Sequence, residues 1–289
     1  AIRYACTHFF VGMILIIGVS TKNYSLIIIG LLINCACFPF SFWVVDAYPA
    51  ASLHGTSYLS LFTTKVSFLV MLLHTYELWQ NYKEILVFLG AITTIYSIVF
   101  TSLEKNIRRF LAYNIVGQMG ILIMSGGLLS NSENAASLLT LNIIFSAVYQ
   151  SLLFIVANSI ILRTKVVSFN VASKILSIEG ICAIIAVLTM AAFPGTAGFV
   201  SKSCIINEIN ASNTVFATYS FKTLHLLLYL SVGLKFLYYM FAFKNKSKIK
   251  ITKGSSISML VLASACIFAG NPYLFIYNKF TIFNNVLSQ

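Results

Sequence analysis

Long apolar runs separated by short polar gaps dominate the chain. They fall roughly at Tyr4–Ser20, Ser25–Val45, Gly55–His74, Ile85–Leu103, Phe110–Leu129, Leu138–Leu162, Ile175–Ala211, Leu224–Phe243 and Ile257–Tyr277. A helix needs about 20 mostly apolar residues to cross a hydrocarbon core about 30 Å thick. The runs are close to that length or longer, and none shows the period-2 alternation of a membrane strand. The pattern predicts an all-α, polytopic transmembrane helical bundle with about nine crossings.

Two runs carry interruptions. The seventh is too long for one straight crossing and contains Phe193-Pro194-Gly195-Thr196-Ala197-Gly198. Proline removes a backbone donor and clashes with the preceding turn, and glycine weakens the helix again. A break at Pro194 and Gly195 follows, with a weaker disturbance expected at Pro39 in the second run. The expected helices are therefore discontinuous in two places.

Composition agrees with a lipid environment. Hydrophobic residues make up 59% of the 289, charged residues 9%, and the mean hydropathy is +0.90. A soluble domain carries about 25% charged residues, so a soluble globule is excluded. The net charge of +12 does not point to nucleic acid, because a nucleic-acid binder gathers its basic residues on one solvated face. Here they sit in the gaps. Arg3, Lys105, Arg108, Arg109, Arg163, Lys165, Lys174 and the Lys244–Lys253 cluster fall on one side, and Lys22, Lys83, Lys202, Lys222 and Lys279 on the other. The richer side is expected to face the cytoplasm or an equivalent matrix. Cys6, Cys35, Cys37, Cys182, Cys204 and Cys266 lie in or beside apolar runs and read as packing residues, so no metal site is expected. No phosphate-binding loop, dinucleotide fingerprint or catalytic triad is visible, and neither a cofactor nor redox chemistry is expected in this chain.

Ionisable groups inside the apolar runs are the candidate chemistry. Lys65 and Lys235 stand near the middle of their runs, where an ammonium costs about 2.5–3.5 kcal/mol on insertion scales. Such residues usually face a polar cavity or an ion path. Lys202 follows the Pro-Gly break, where freed backbone carbonyls can solvate a cation; a lysine at a loop edge is the equal alternative. His8, His54, His74 and His225 are scattered, with no carboxylate at helical spacing, and read as interfacial or packing residues.

Four stretches together resemble the antiporter-like membrane subunits of respiratory complex I and Mrp-type cation/proton antiporters, closest to the Mrp D type. They are Phe38-Pro39-Phe40-Ser41-Phe42-Trp43-Val44-Val45-Asp46-Ala47-Tyr48-Pro49, then Leu61-Phe62-Thr63-Thr64-Lys65, then Asn106-Ile107-Arg108-Arg109-Phe110-Leu111-Ala112-Tyr113 with Gln118-Met119-Gly120, and last Phe193–Lys202. The resemblance implies two inverted repeats, each with a broken helix, and a polar axis that moves protons through lysines. It would place Lys65 and Lys202 on that axis, with Lys235 as the counterpart of Lys65 by order in the repeat. The expected layout is a single membrane domain, 1–289, with a partial repeat at 1–75, a fuller one at 85–245 and a C-terminal helix at 257–277.

The resemblance also shows departures. Asn34 stands where the family carries a lysine, and Asn142, Ser146 and Gln150 stand where it carries two histidines and a lysine. Neutral side chains can hold water but cannot store a proton. The helix with the family's partner glutamate is not matched by any segment here, and the chain alone is expected to move protons slowly. The implied function is proton, or cation/proton, translocation in an Mrp-type or NADH-quinone oxidoreductase-like complex. The alternatives are a degenerate or split structural subunit and an unrelated transporter or channel. Implied partners are other membrane subunits, the lipid bilayer, and protons with sodium as a second cation. The implied location is the bacterial inner (plasma) membrane in preference to the mitochondrial inner membrane.

Overall fold

The computed structural model of the chain describes residues 2–164, 167–168, 178–212, 215–242 and 253–271. Lys165, Lys174, the lysines from Lys244 to Lys250, Lys279, the start of the seventh apolar run and the end of the ninth lie outside the described residues. In order, the helices are α1 (Ile2–Ser20), α2 (Tyr24–Asn34), α3 (Phe42–Ala50), α4 (Leu53–Thr75), α5 (Lys83–Leu103), α6 (Ile107–Leu128), α7 (Ala135–Thr164), α8 (Ile178–Met190), α9 (Ala197–Ser212), α10 (Val215–Tyr229), α11 (Lys235–Ala242) and α12 (Lys253–Phe268). A 3-10 turn at Tyr76–Tyr82 joins α4 to α5, and a π-helical turn at Leu230–Leu234 joins α10 to α11. Among the described residues there is no strand, only an isolated bridge between Asn106 and Ser168.

The side-chain distribution is that of a membrane protein. α6 is buried along nearly its whole length and α7 along most of it, so they form the centre, whereas α1 and the α10–α11 rod lie at the edge. Edge helices expose large apolar side chains such as Phe9, Ile16, Phe216 (83% exposed) and Phe268. In water this would be a liability, but lipid solvates such a surface. Five helical stretches among the described residues are long and apolar enough to cross a membrane.

Small residues let the central helices approach closely. A Cβ on Gly90 of α5 would sit 2.5 Å from the Met124 amide nitrogen and 2.7 Å from the Gly120 carbonyl oxygen of α6. Ser97 Oγ donates to the Tyr113 carbonyl at 2.6 Å across the same seam. In lipid, where apolar burial adds little between helices, close backbone packing of this type drives association.

Charges collect at one end of the bundle. Asp46, after the first break, pairs with Arg3 at 2.7 Å and with Arg109 at 3.3 Å. Arg108 donates to the Ala51 carbonyl at 2.6 Å and to Thr56 Oγ1, closing the end of α3. Two of the sequence stretches singled out above thus clasp each other in space. Arg163 and Glu179 form a buried pair at 2.7 Å joining α7 to α8. The opposite end carries polar links, among them Ser25 Oγ with Tyr82 Oη at 2.7 Å, Tyr76 Oη to the Ser132 carbonyl at 2.6 Å, and Ser132 Oγ to Glu208.

Candidate functional site

The two interruptions are built on one plan. α2 stops at Asn34 and α3 begins at Phe42; α8 stops at Met190 and α9 begins at Ala197. Each leading half-helix closes with paired turn bonds that satisfy its last carbonyls. At the first break the Cys37 amide donates to the Leu32 carbonyl (3.1 Å) and Ala36 to Ile33 (3.0 Å). At the second, Phe193 donates to Leu188 (3.0 Å) and Ala192 to Thr189 (3.2 Å). An alanine takes the left-handed position both times, with φ of 59° at Ala36 and 60° at Ala192. The disturbance at Pro39, expected to be the weaker, is a full interruption. The reason is the cap itself: once Ala36 turns left-handed, the helix cannot continue whatever follows.

Each break is held open by specific contacts. Trp43 Nε1 donates to the Ile33 carbonyl at 3.1 Å, and the Phe38 amide donates to Thr93 Oγ1 at 3.0 Å. At the second break, Gly198 lies so close to α8 that a Cβ there would collide with the Thr189 carbonyl oxygen. Gly195, with φ of 85°, makes the turn after Pro194.

Lys65 and Lys202 sit in the protein interior, 2% and 5% exposed. Lys65 Nζ donates to the Ser60 carbonyl at 2.6 Å and to Gln150 Oε1 on α7. Lys202 reaches back across its break and donates to the Met190 carbonyl, at the negative end of the α8 dipole. Its ammonium also lies 5.4 Å from the centre of the Tyr149 ring. Tyr149 Oη donates to Gln118 Oε1 on α6 at 2.9 Å. Tyr149 and Gln150 are consecutive, so one point on α7 touches both lysines.

The rest of the α7 face continues this polar strip. Asn142, Ser146 and Gln150 recur every four residues and are all buried. Ser201 Oγ donates to Asn142 Oδ1 at 3.3 Å, and Ser146 Oγ donates to the Ile143 carbonyl at 2.9 Å. Gln150 Nε2 and Thr64 Oγ1 are buried without a hydrogen-bond partner, leaving polar capacity beside Lys65. His225 Nε2 is likewise unpartnered, and its ring lies within electrostatic reach of Lys202. Among the described residues no carboxylate forms an ion pair with Lys65 or Lys202. No group of three His, Cys, Asp or Glu suited to a metal occurs among them either.

Lys235 lies elsewhere. It begins α11 after the π-helical turn and donates to the Thr101, Ser102 and Glu104 carbonyls, each at 2.8 Å. It caps the end of α5 and does not reach the other two lysines. Asn34 ends α2, where its Oδ1 lies 3.1 Å from His8 Nδ1. That contact and the role of Tyr149 were not evident in the sequence. His8 and Asn34 are 26 residues apart on different helices, whereas Tyr149 could have been suspected beside Gln150.

Comparisons with known proteins find relatives of this chain by sequence and by fold. The family described as "NADH:quinone oxidoreductase/Mrp antiporter, TM" matches residues 12–228. A curated relative, NADH-ubiquinone oxidoreductase chain 2 of Dictyostelium discoideum, is 26% identical over 275 residues, covering 86% of this chain and 54% of the relative. The chain therefore spans about half the length of that relative. A chain in the structure of the Mrp complex from Dietzia sp. superposes with a TM-score of 0.83 at 15% identity, over 97% of this chain and 65% of that one. A chain of the membrane-bound sulfane sulfur reductase, an archaeal respiratory membrane complex, gives 0.76 at 20% identity, over 91% and 54%. At these identities the structural matches show a shared fold.

Proposed function

The chain belongs to the NADH:quinone oxidoreductase/Mrp antiporter membrane family, and on that premise we propose that it is an antiporter-like subunit that carries protons across a membrane. The observation that carries this reading is the buried contact series Lys65–Gln150–Tyr149–Lys202, which links the helix after the first break to the second half of the other. A buried ammonium with neutral acceptors can give up a proton and take another without breaking an ion pair. Lys65 and Lys202 are the proposed carriers, Gln150 and Tyr149 the bridge, and Asn142 and Ser146 the polar lining. Pro39, Pro194 and Gly195 lie in the breaks, and at the second break the Met190 carbonyl is the one that takes the Lys202 ammonium. Lys235 enters the proposal as the anchor of α11 at the basic end.

Nine crossings result if each broken pair, α2–α3 and α8–α9, completes one crossing. The two pairs with their following rods, α4 and α10–α11, correspond to the two repeats, 1–75 and 85–245. The proposed setting is a multi-subunit complex in an energy-transducing membrane, with protons as cargo and sodium as the alternative. The test is a complex purified through a tag on this chain and reconstituted into vesicles with a pH-sensitive dye. Collapse of an imposed proton gradient should be lost in Lys65→Met and Lys202→Met. Equal flux in the wild type and both variants would remove the reading. The isolated chain, with neutral Asn34, Asn142, Ser146 and Gln150 where the family resemblance puts titratable groups, is expected to be at least about tenfold slower than the complex.

A further inference from the structure

We propose that His8 carries protons at the end of α2, between the charged cluster at the basic end and Lys65; this rests on the translocation reading above. His8 Nδ1 lies 3.1 Å from Asn34 Oδ1. A carboxamide oxygen accepts and never donates, so the contact places a hydrogen on Nδ1 and leaves Nε2 with its lone pair in the neutral ring. Nε2 is buried and has no hydrogen-bond partner. The geometry matches a base that is oriented on one side and vacant on the other.

The ring is fixed in place. It packs edge-on against Tyr4 and Trp43, with centroids 4.2 Å and 4.7 Å away. Trp43 is itself tied to the first break through the Ile33 carbonyl. About one and a half turns nearer the basic end, Arg3 of α1 pairs with Asp46 of α3, which also holds Arg109 of α6. On the inner side Cys35 follows Asn34, and its Sγ lies 3.9 Å from the carbonyl of Thr64, the residue before Lys65. His8 thus stands between a solvated charge cluster and the helix of a buried lysine. The groups facing it are Tyr4 on its own helix, neutral Asn34 on α2, and on α3 Trp43 with Asp46 beyond it.

The step requires only an N–H bond. A proton arriving from the aqueous side bonds to the Nε2 lone pair and gives an imidazolium, whose Nδ1–H still donates to Asn34. Loss of the Nε2 proton to the next acceptor restores the neutral ring. Asn34 holds the ring and takes no charge.

The test has two measurements. In the reconstituted complex, His8→Gln keeps a polar side chain but cannot take a proton, and it should slow lysine-dependent flux by about tenfold or more. His8→Lys, which titrates, should recover part of that loss. Wild-type flux in His8→Gln, or recovery by His8→Asn as complete as by His8→Lys, overturns the inference while translocation stands. Nitrogen NMR of histidine-labelled wild-type chain in lipid nanodiscs, assigned with His8→Gln, supplies the second readout. A neutral ring with hydrogen on Nδ1 that protonates at Nε2 within roughly pH 5 to 8 is expected. Hydrogen on Nε2 in the neutral ring, or no titration, overturns the inference. If the wild-type complex shows no lysine-dependent flux, the translocation reading falls, and the NMR result decides the proton chemistry of His8 by itself.

Discussion

Ala36 and Ala192 each end a half-helix with a positive φ, a region in which Cβ crowds the following carbonyl by roughly 1–2 kcal/mol. Glycine avoids that crowding but loses more freedom on folding, so Ala36→Gly and Ala192→Gly should each stabilise the protein by about 0.5–1 kcal/mol. Thermal unfolding in detergent measures this; a fall in the midpoint would show that the methyl groups supply packing that outweighs the strain. The Lys65–Gln150 contact makes the opposite prediction. Gln150→Leu leaves the buried ammonium with the Ser60 carbonyl alone and should destabilise by about 1–3 kcal/mol. Flux should fall to that of Lys65→Met. Gln150→Glu supplies a carboxylate that pins the proton, so the fold should survive while flux drops. If Gln150→Leu melts and transports as the wild type does, the contact has no part in the path. At this scale the sequence disclosed Lys65 through the energetic penalty of a charge in an apolar run, a rule that singled out Lys235 equally, and Lys202 through the Pro-Gly break before it and the family resemblance. It hid His8, because an imidazole in such a run looks like packing until its partner on another helix is known.

The second interruption was legible because Pro194 and Gly195 are both poor helix residues. The first was understated because its cap is made by Ala36, a residue with the best helix propensity. No composition rule flags an alanine that turns left-handed; the turn bonds and the Trp43 donation to Ile33 select it. Gly198 yields the clearest test of how a break is held. Gly198→Ala would drive its methyl into the Thr189 carbonyl, so α9 must move off α8 and carry Lys202 away from Met190. Loss of flux and a lower folded yield are expected. Gly12→Ala in α1, where a Cβ meets nothing within 4 Å, serves as the control and should be neutral or slightly stabilising. Equal behaviour of the two variants would mean that the close approach at Gly198 is dispensable. Lys235 illustrates why order along a repeat is a poor guide to position. The π-helical turn before it shifts the register, and its ammonium closes α5 at the three carbonyls of Thr101, Ser102 and Glu104.

For the whole molecule, helical class and membrane insertion were readable from run length and charge content, since lipid imposes both on any sequence. Which helices are central was not readable: among the five spanning stretches α6 is the least apolar and α7 is no more apolar than the stretch formed by α4 and α5, so only packing places them inside. The charge asymmetry makes an orientation prediction. With Cys6 replaced by Ser, a cysteine at Lys105 should react with a membrane-impermeant thiol reagent from the cytoplasmic side, and one at Asn131 from the other side. The reverse pattern would invert the topology. α7 is the piece on which the two halves of the bundle converge. Successive residues on a helix point about 100° apart, and here Gln150 meets one lysine while Tyr149 meets the other. The backbone between them is a stiff ladder of hydrogen bonds, so a rotation of α7 turns both side chains through the same angle. The two lysines therefore share a crankshaft, and neither contact can be reset by turning the helix without disturbing the other.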